Sequence, residues 1–426
     1  MLSLVPTEHW DYGPGDLVRG LRVALSRRRT DKTTTIGIPG VGPSVPIRSG
    51  RAAIVIALRA LELPAGASVA VPLYCCPVVL RAVAESGYRV RFIDVDPKTY
   101  CMSATDLAAK NSEVDAIIAV HMFGNMCDVP ALQQAAPGKP VIEDCAQALN
   151  SKLGGRAAGS FGDIAIFSFR SGKYISVGEG GAVYCSRAEM ESRVSKQIED
   201  LSVSSHSDEI VHVVKTCLRS MLRSRPFWGL IGSALWNAYT HKVDYMSQAP
   251  ISLGQIYETD REMAIQRMTM LPGMVESQRQ NADYYLHNLT IDPDMLCSET
   301  PGAYSNRLQF PLLLASSTQC ERLAERLRQN QISTARPYRD IAAIASDHYA
   351  YKGDCPQAER IANTVLVIPC NYGLSIKQVE WISGCINRAW AEITGQGLGA
   401  SLTPVPARAI RSSENVERLA EPHHFS

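Results

Sequence analysis

The feature that most constrains this chain is an alternation that begins at Ile47. "IRSGRAAIVIALRALEL" reads as a turn followed by a helix, and "SVAVPLY" as a short buried strand. "PVVLRAVAESG" is a helix closed by Gly87, and "YRVRFIDVD" is a strand. The helices "ATDLAAKN" and "VPALQQAA" then alternate with the strands "VDAIIAVHMFG" and "KPVIEDCA", and "DIAIFSF" and "GAVYCS" add two more strands. These strands are near-continuous runs of Val, Ile and Ala. Strands of that kind are covered on both faces, so with helices between them they imply a mostly parallel α/β sheet flanked by helices.

The flanks differ in character. Residues 1–45 hold one helical patch, "DLVRGLRVALSRRR", and a Gly/Pro-rich link, "GIPGVGPSVP". After Arg187 the sequence turns mainly helical through residue 293, and "MAIQRMTMLPGMVESQRQNADYYLHNL" has helical spacing with a kink expected at Pro272–Gly273. A smaller α+β unit follows, with strands at "NRLQFPLLL" and "VLVIP" and helices at "TQCERLAERLRQNQI" and "SIKQVEWISGCINRAWAEI". From Gly395 the chain is polar and Pro/Ser-rich, the composition of a disordered tail.

Composition narrows the function classes. Hydrophobic residues make up 46% and charged residues 20% of the 426, which suits a soluble protein with a sizeable core of two or three domains. The net charge of +1 gives no global field toward nucleic acid, and no nucleic-acid-binding motif is visible. The twelve cysteines are scattered, often within apolar strands, and none stands at metal spacing with a histidine. Buried free thiols are expected, and no metal site. The N-terminus lacks the pattern of a secretory signal, so a reducing cytoplasm is the expected compartment. No apolar run reaches the roughly 20 residues that span a bilayer. "KTCLRSMLRSRPFWGLIGSALWNAY", Lys215 to Tyr239, leaves open an amphipathic contact with a membrane surface beside a core or subunit contact.

In a parallel sheet, ligands bind beyond the carboxyl ends of the strands. Four marked segments point there. "SGRAA", Ser49 to Ala53, opens a helix, and its free N–H groups suit a phosphate. "VIEDCAQA" ends a strand with Glu143 and Asp144, and an acidic pair leaving an apolar strand needs a partner. Ser168 lies inside "FSF", and Lys173 stands alone before the turn "GEGG". A phosphate seat, a carboxylate and a lysine together suit pyridoxal phosphate (PLP), which takes a lysine on its aldehyde and an acid on its pyridine nitrogen.

These residues resemble the DegT/DnrJ/StrS aminotransferases, fold-type-I PLP transferases that mostly act on nucleotide-linked keto sugars. The resemblance runs through "SGRAA", "VPLYCCPVV", "FIDVDPKTY", "VHMFGNMCD", "VIEDCAQA", "GSFGDIAIFSF", "GKYISVGEGGAV" and "PQAERIANTVLVIP", in order over about residues 45–390. It implies an N-terminal arm over 1–45, a large PLP-binding α/β domain over 46–258 with a helical insertion at about 200–250, and a small α+β domain over 259–394. It implies that Lys173 attaches the cofactor, that Asp144 meets the pyridine nitrogen, and that Gln147 lies near the phenolic oxygen. Ser168 and the backbone of Gly50, Arg51 and Ala52, with Ser49 leading the turn, match the phosphate ligands. Arg336 and Tyr338 fall where relatives place a substrate-side loop and could meet a phosphate or donor carboxylate, or else lead into a helix; His121, after an apolar strand, reads either as a pocket residue or as a structural histidine.

Several positions depart from the family pattern. Arg51 stands in place of a threonine, and Cys76 in place of an aromatic ring that stacks on the cofactor, with Tyr74 the candidate substitute. Arg170–Ser171 replaces His-Pro before the lysine, and Tyr174 the asparagine after it. "GQIYE", Gly254 to Glu258, replaces the segment G-x-N-x-R that relatives lend to the partner subunit. The resemblance implies a homodimer. It also implies a transaminase that moves nitrogen from glutamate or glutamine to a keto sugar for polysaccharide or glycoside synthesis. Two other readings stay open. One is a PLP sugar dehydratase, although relatives of that kind carry histidine where Lys173 stands. The other is a non-catalytic PLP-fold regulator or scaffold.

Overall fold

The computed structural model of the protein describes residues 4–9, 12–26, 35–223 and 251–395. The expectations for residues 224–239 and for the tail beyond Gly395 fall outside them.

Helix α1 (Pro14–Leu25) precedes strands β1 (Ile36–Ile38) and β2 (Gly42–Ile47) and helix α2 (Gly50–Ala60). The regular alternation follows: β3 (Ser68–Pro72), α3 (Pro77–Glu85), β4 (Arg89–Ile93), α4 (Ala104–Lys110), β5 (Ala116–Val120), α5 (Val129–Ala135) and β6 (Val141–Asp144). After the short strands β7 (Lys152–Leu153) and β8 (Arg156–Ala157) come β9 (Ile164–Ser168), β10 (Gly181–Cys185), α6 (Ala188–Glu199) and α7 (His206–Arg223). One eight-stranded sheet has the order β1-β2-β10-β9-β6-β5-β3-β4. Strands β4, β3, β5, β6 and β9 are mutually parallel, and β10, β2 and β1 are antiparallel to their neighbours. The inner parallel strands β3, β5, β6 and β9 are buried along nearly their whole length, as a sheet with helices on both faces requires, whereas the edge strand β4 is buried only at Phe92 and Ile93.

The Gly/Pro-rich link expected before Ile47 is instead the hairpin β1–β2, which extends the sheet. Two prolines argue against a strand from sequence, because proline cannot donate to a ladder. Here β2 changes partner midway. Gly42, Pro43 and Ser44 pair with β1, while Val45, Pro46 and Ile47 pair with β10. Each proline therefore has one paired flank only, and the missing N–H costs little.

The kink expected at Pro272 is a break between two helices, Glu258–Met268 and Leu271–Asn288, with Pro272 in the first turn of the second. Proline needs no donor there and its fixed φ suits the start of a helix. The C-terminal unit is built on the antiparallel pair β11 (Phe310–Leu313) and β12 (Val365–Ile368). Helices Ser317–Gln329 and Ile376–Thr394 pack on it, burying Leu323, Leu327, Ile382 and Ile386 in a separate core.

The N-terminal strap ties this unit to the sheet. Val5 exchanges backbone bonds with Gln331 and Ser333, and Pro6 accepts from the Asn371 amide at 3.3 Å. The strap thereby carries Glu8 to Gly172, beside Lys173. A Cβ added at Gly172 would lie 2.5 Å from the Glu8 carboxylate, and the φ of +89° there favours glycine.

Candidate active site

The site forms at the carboxyl ends of β6 and β9, where the parallel part of the sheet meets α2. Ser49 caps α2, its Oγ accepting from the Ala52 N–H at 3.2 Å. The cap orients the first turn so that Gly50 and Arg51 line the pocket. Ala52, expected among the phosphate ligands, is fully buried behind them and is not among the lining residues, because its N–H is taken by the Ser49 cap. Ser168, the last residue of β9, lies against Gly50: a Cβ added at Gly50 would stand 2.8 Å from the serine Cβ. Gly181 closes the seat from beneath, where a Cβ would be 2.7 Å from both the Gly50 nitrogen and the Phe167 oxygen. The GEGG turn is thus the floor that lets backbone approach the helix N-terminus, which is a ready anion site.

Asp144 ends β6 and lines the same pocket with Gln147, Arg170, Lys173, Glu179 and Tyr338. Burial pushes the Asp144 carboxyl upward, while the Ala146 N–H, 3.0 Å from Oδ1, and the Lys173 ammonium hold it down. Lys173 is half-buried, and burial together with the nearby Arg170 guanidinium lowers its pKa. Glu8, from the strap, acts in the opposite sense. A buried carboxylate lacking a strong cationic partner and an amine eased toward its neutral form suit a group that brings a protonated ring nitrogen and an aldehyde. The residues present therefore fit PLP.

The other expected site residues are placed as follows. Cys76 lines the pocket. Tyr74 does not: it is fully buried, donates to the Pro337 carbonyl at 3.2 Å, and packs edge-on against Phe123 and Tyr338. It supports Tyr338 rather than covering the pocket. His121 is fully buried below the pocket. Its Nδ1 accepts from the Cys127 N–H at 2.9 Å and its Nε2 donates to Glu143 at 3.0 Å. Arg336 bonds Ser317, Asn363 and Glu321 and is not among the lining residues, so the pocket's cations are Arg51, Arg170 and Lys173.

Glu143 is spent on structure. It accepts from the N–H groups of Gly159, Phe161 and Gly162 at 2.6–2.9 Å besides the His121 ring. Cys145 brings its sulfur close to this pair, yet the donors of His121 and Glu143 are already engaged, which leaves no ligand set for an ion. All twelve cysteines are free, and only Cys76 is not buried.

"GQIYE" lies against its own chain. Arg48 donates to the Gln255 carbonyl at 2.8 Å and its guanidinium sits 4.0 Å above the Tyr257 ring. Tyr257 in turn stacks on His212 at 3.9 Å. Tyr174 stacks on Tyr372 at 5.8 Å, away from the lining residues. A larger cleft, about 720 Å³, runs along the edge strand β4, but its central arginine, Arg91, is already paired with Glu113 and Asp354.

Sequence reasoning did not single out Glu8 and gave no role to Glu179. The strand-end residues carry a local signal, whereas Glu8 arrives from 165 positions away through the Val5 pairing, which leaves no local mark.

A parallel sheet, a helix N-terminus at its carboxyl edge, and an acid and a lysine converging there define a fold-type-I PLP transferase. The chain belongs to the DegT/DnrJ/EryC1/StrS aminotransferase family, whose model matches residues 39–387. It is 29% identical to the UDP-N-acetyl-3-dehydro-alpha-D-glucosamine 3-aminotransferase of Acidithiobacillus ferrooxidans, over 83% of this chain and 85% of that one. It is 26% identical to the GDP-perosamine synthase of Vibrio cholerae, over 80% and 84%. Spr1654 of Streptococcus pneumoniae in its PLP form shares the fold, with a TM-score of 0.69 at 16% identity, covering 92% of this chain and 99% of that one.

Proposed function

We propose that the protein is a PLP-dependent aminotransferase that moves an amino group from glutamate or glutamine to a keto sugar carried on a nucleotide. The observation that carries this reading is the convergence of Lys173, Asp144, Ser168 and the Ser49–Arg51 turn on one pocket. Kinship with enzymes named for UDP- and GDP-linked amino sugars supports the acceptor class.

When bound, PLP supplies the electron sink for the carbon that loses or gains nitrogen. The chain's residues do the rest. The α2 N-terminus and the Ser168 hydroxyl hold the phosphate. Asp144 would hold a proton on the ring nitrogen, and its burial would strengthen that pairing. Gln147, whose Oε1 accepts from the Phe123 N–H at 3.2 Å, would meet the phenolic oxygen. The Lys173 amine would take up and return the proton of the substrate carbon that loses or gains nitrogen, a task for which a lowered pKa suits it. Arg51 and Arg170 offer the donor carboxylate its cations, in place of the engaged Arg336. Tyr338 borders the acceptor side.

We further propose a homodimer in a reducing cytoplasm that serves polysaccharide or glycoside synthesis. Eleven buried cysteines, all free, support the compartment. The test is incubation of the PLP-loaded protein with glutamate and a panel of UDP-, GDP- and dTDP-linked keto sugars, following 2-oxoglutarate. One amino sugar formed in step with 2-oxoglutarate supports the reading. Loaded protein that is indifferent to every donor and acceptor contradicts it.

A further inference from the structure

Helices α1 and α7 stand outside the catalytic sheet and pack against each other. His206 Nδ1 meets the Ala24 carbonyl at 3.0 Å, and Gly20 faces Val213, so the two helices run antiparallel. The inner face of α7 presses on the active-site turn: a Cβ added at Gly178 would lie 2.7 Å from Thr216 Oγ1. His212, one turn earlier, bonds Asp260 at 2.8 Å, and the same carboxylate accepts the Glu179 N–H.

The outer face of α7 has a different composition. Val211, Val214, Leu218 and Leu222 recur every three or four residues and are 40–54% exposed. Lys215 and Arg219 stand between them, also exposed. On α1, Val18 and Leu25 are exposed beside Arg19 and Arg22. The acids of the two helices point elsewhere. Asp16 pairs with Arg267 at 3.1 Å, Glu209 accepts the N–H groups of Glu258 and Thr259, and Asp208 folds back on Ser205 at the start of α7. From Val211 to Leu222 the exposed surface is therefore apolar and basic with no acid, on a chain whose net charge is only +1.

We propose that this α1/α7 face docks on an anionic lipid surface. Apolar side chains at helical spacing enter the headgroup boundary while flanking Lys and Arg meet lipid phosphates. A second copy is a poorer occupant. A two-fold contact centred here would set Lys215 and Arg219 against the same basic set with no carboxylate to receive them. Docking would place the Gly178 turn about one helix diameter, roughly 10 Å, from the bilayer surface. The enzyme would then work where membrane-bound steps consume activated sugars.

The test needs no substrate, so it stands apart from the catalytic reading. The full-length, PLP-loaded protein is sedimented with vesicles of phosphatidylcholine, with or without phosphatidylglycerol. Binding only to the anionic vesicles, weakened by salt, is expected. The double variant Lys215→Glu/Arg219→Glu and the variant Leu218→Glu should each lower the bound fraction about tenfold or more, with the unfolding midpoint unchanged. Three results would overturn the proposal. The wild-type protein fails to bind anionic vesicles, Leu218→Glu converts a dimer to monomer, or Leu218→Glu lowers the unfolding midpoint because other residues of the chain cover the face.

Discussion

Glu143 Oε2 lies 3.0 Å from His121 Nε2, and solvent reaches neither side chain. The pair is immediately behind Asp144, whose carbonyl accepts the His121 N–H at 3.2 Å. Three more N–H groups, from Gly159, Phe161 and Gly162, end on the same glutamate, so the loop between β8 and β9 is fastened to the strand that presents Asp144. Glu143→Ala would strip all of these donors of their acceptor and leave the His121 ring and the Gly159 N–H unpaired in the interior. A loss of roughly 3–5 kcal/mol is expected, measured by denaturant unfolding.

The same residue gives a pH dependence. Burial pushes the Glu143 carboxyl up, but the His121 bond and the N–H groups of Gly162 and Gly159 outweigh it and hold the pKa below the usual glutamate value. A carboxylate with a depressed folded pKa adds stability that is complete above its unfolded value and fades as pH falls through the folded one. The stability gap between the wild-type protein and Glu143→Gln should therefore be full at neutral pH. It should narrow below about pH 4. A gap that stays constant from neutral to acid would contradict this account of the clamp.

Gly181 and Gly50 meet in the phosphate seat, and the two should tolerate a methyl group unequally. At Gly181 the added Cβ strikes fixed backbone, the Gly50 nitrogen and the Phe167 oxygen at 2.7 Å. At Gly50 it strikes mainly the Ser168 side chain. Gly181→Ala should cost about 1–3 kcal/mol of stability and weaken PLP binding more than Gly50→Ala does. Titration of each apo variant with PLP, followed by absorbance, gives the comparison.

Lys173 lies between opposed neighbours. Burial and Arg170 lower its pKa, and Glu8 raises it. Removing the cation in Arg170→Gln should raise the pKa, so the reaction of the lysine with added PLP should need higher pH. Removing the anion in Glu8→Gln should lower it, so the same reaction should proceed at lower pH. The observable is the pH profile of the reconstitution rate, with the two variants displaced in opposite directions from the wild-type protein. Displacement of both to the same side would mean that strap and loop act by packing rather than charge.

The placement of the strand-end residues at one pocket could be read in advance because parallel strands advertise themselves. Val, Ile and Ala runs fix where a strand ends, and the residue there, Asp144 or Ser168, faces the ligand edge whatever the rest does. Lys173 and GEGG followed from the same logic. Three things did not. Strand β2 hides behind Pro43 and Pro46, since its change of partner is a tertiary event. Tyr74 and Cys76 are two residues apart, and sequence alone does not say which one the chain turns into the pocket; it is Cys76. Glu8 depends on the pairing of Val5 with the Gln331–Ser333 segment, and no short-range pattern reports a contact of that span.

The most direct measurement compares Lys173→Ala with the wild-type protein, both supplied with PLP, glutamate and a keto-sugar acceptor. The variant is expected to keep its fold but to lose the visible absorbance of lysine-bound cofactor, and 2-oxoglutarate release should fall by several orders of magnitude. Undiminished release from the variant would mean that another group does the chemistry, and the site described here would not be the active one.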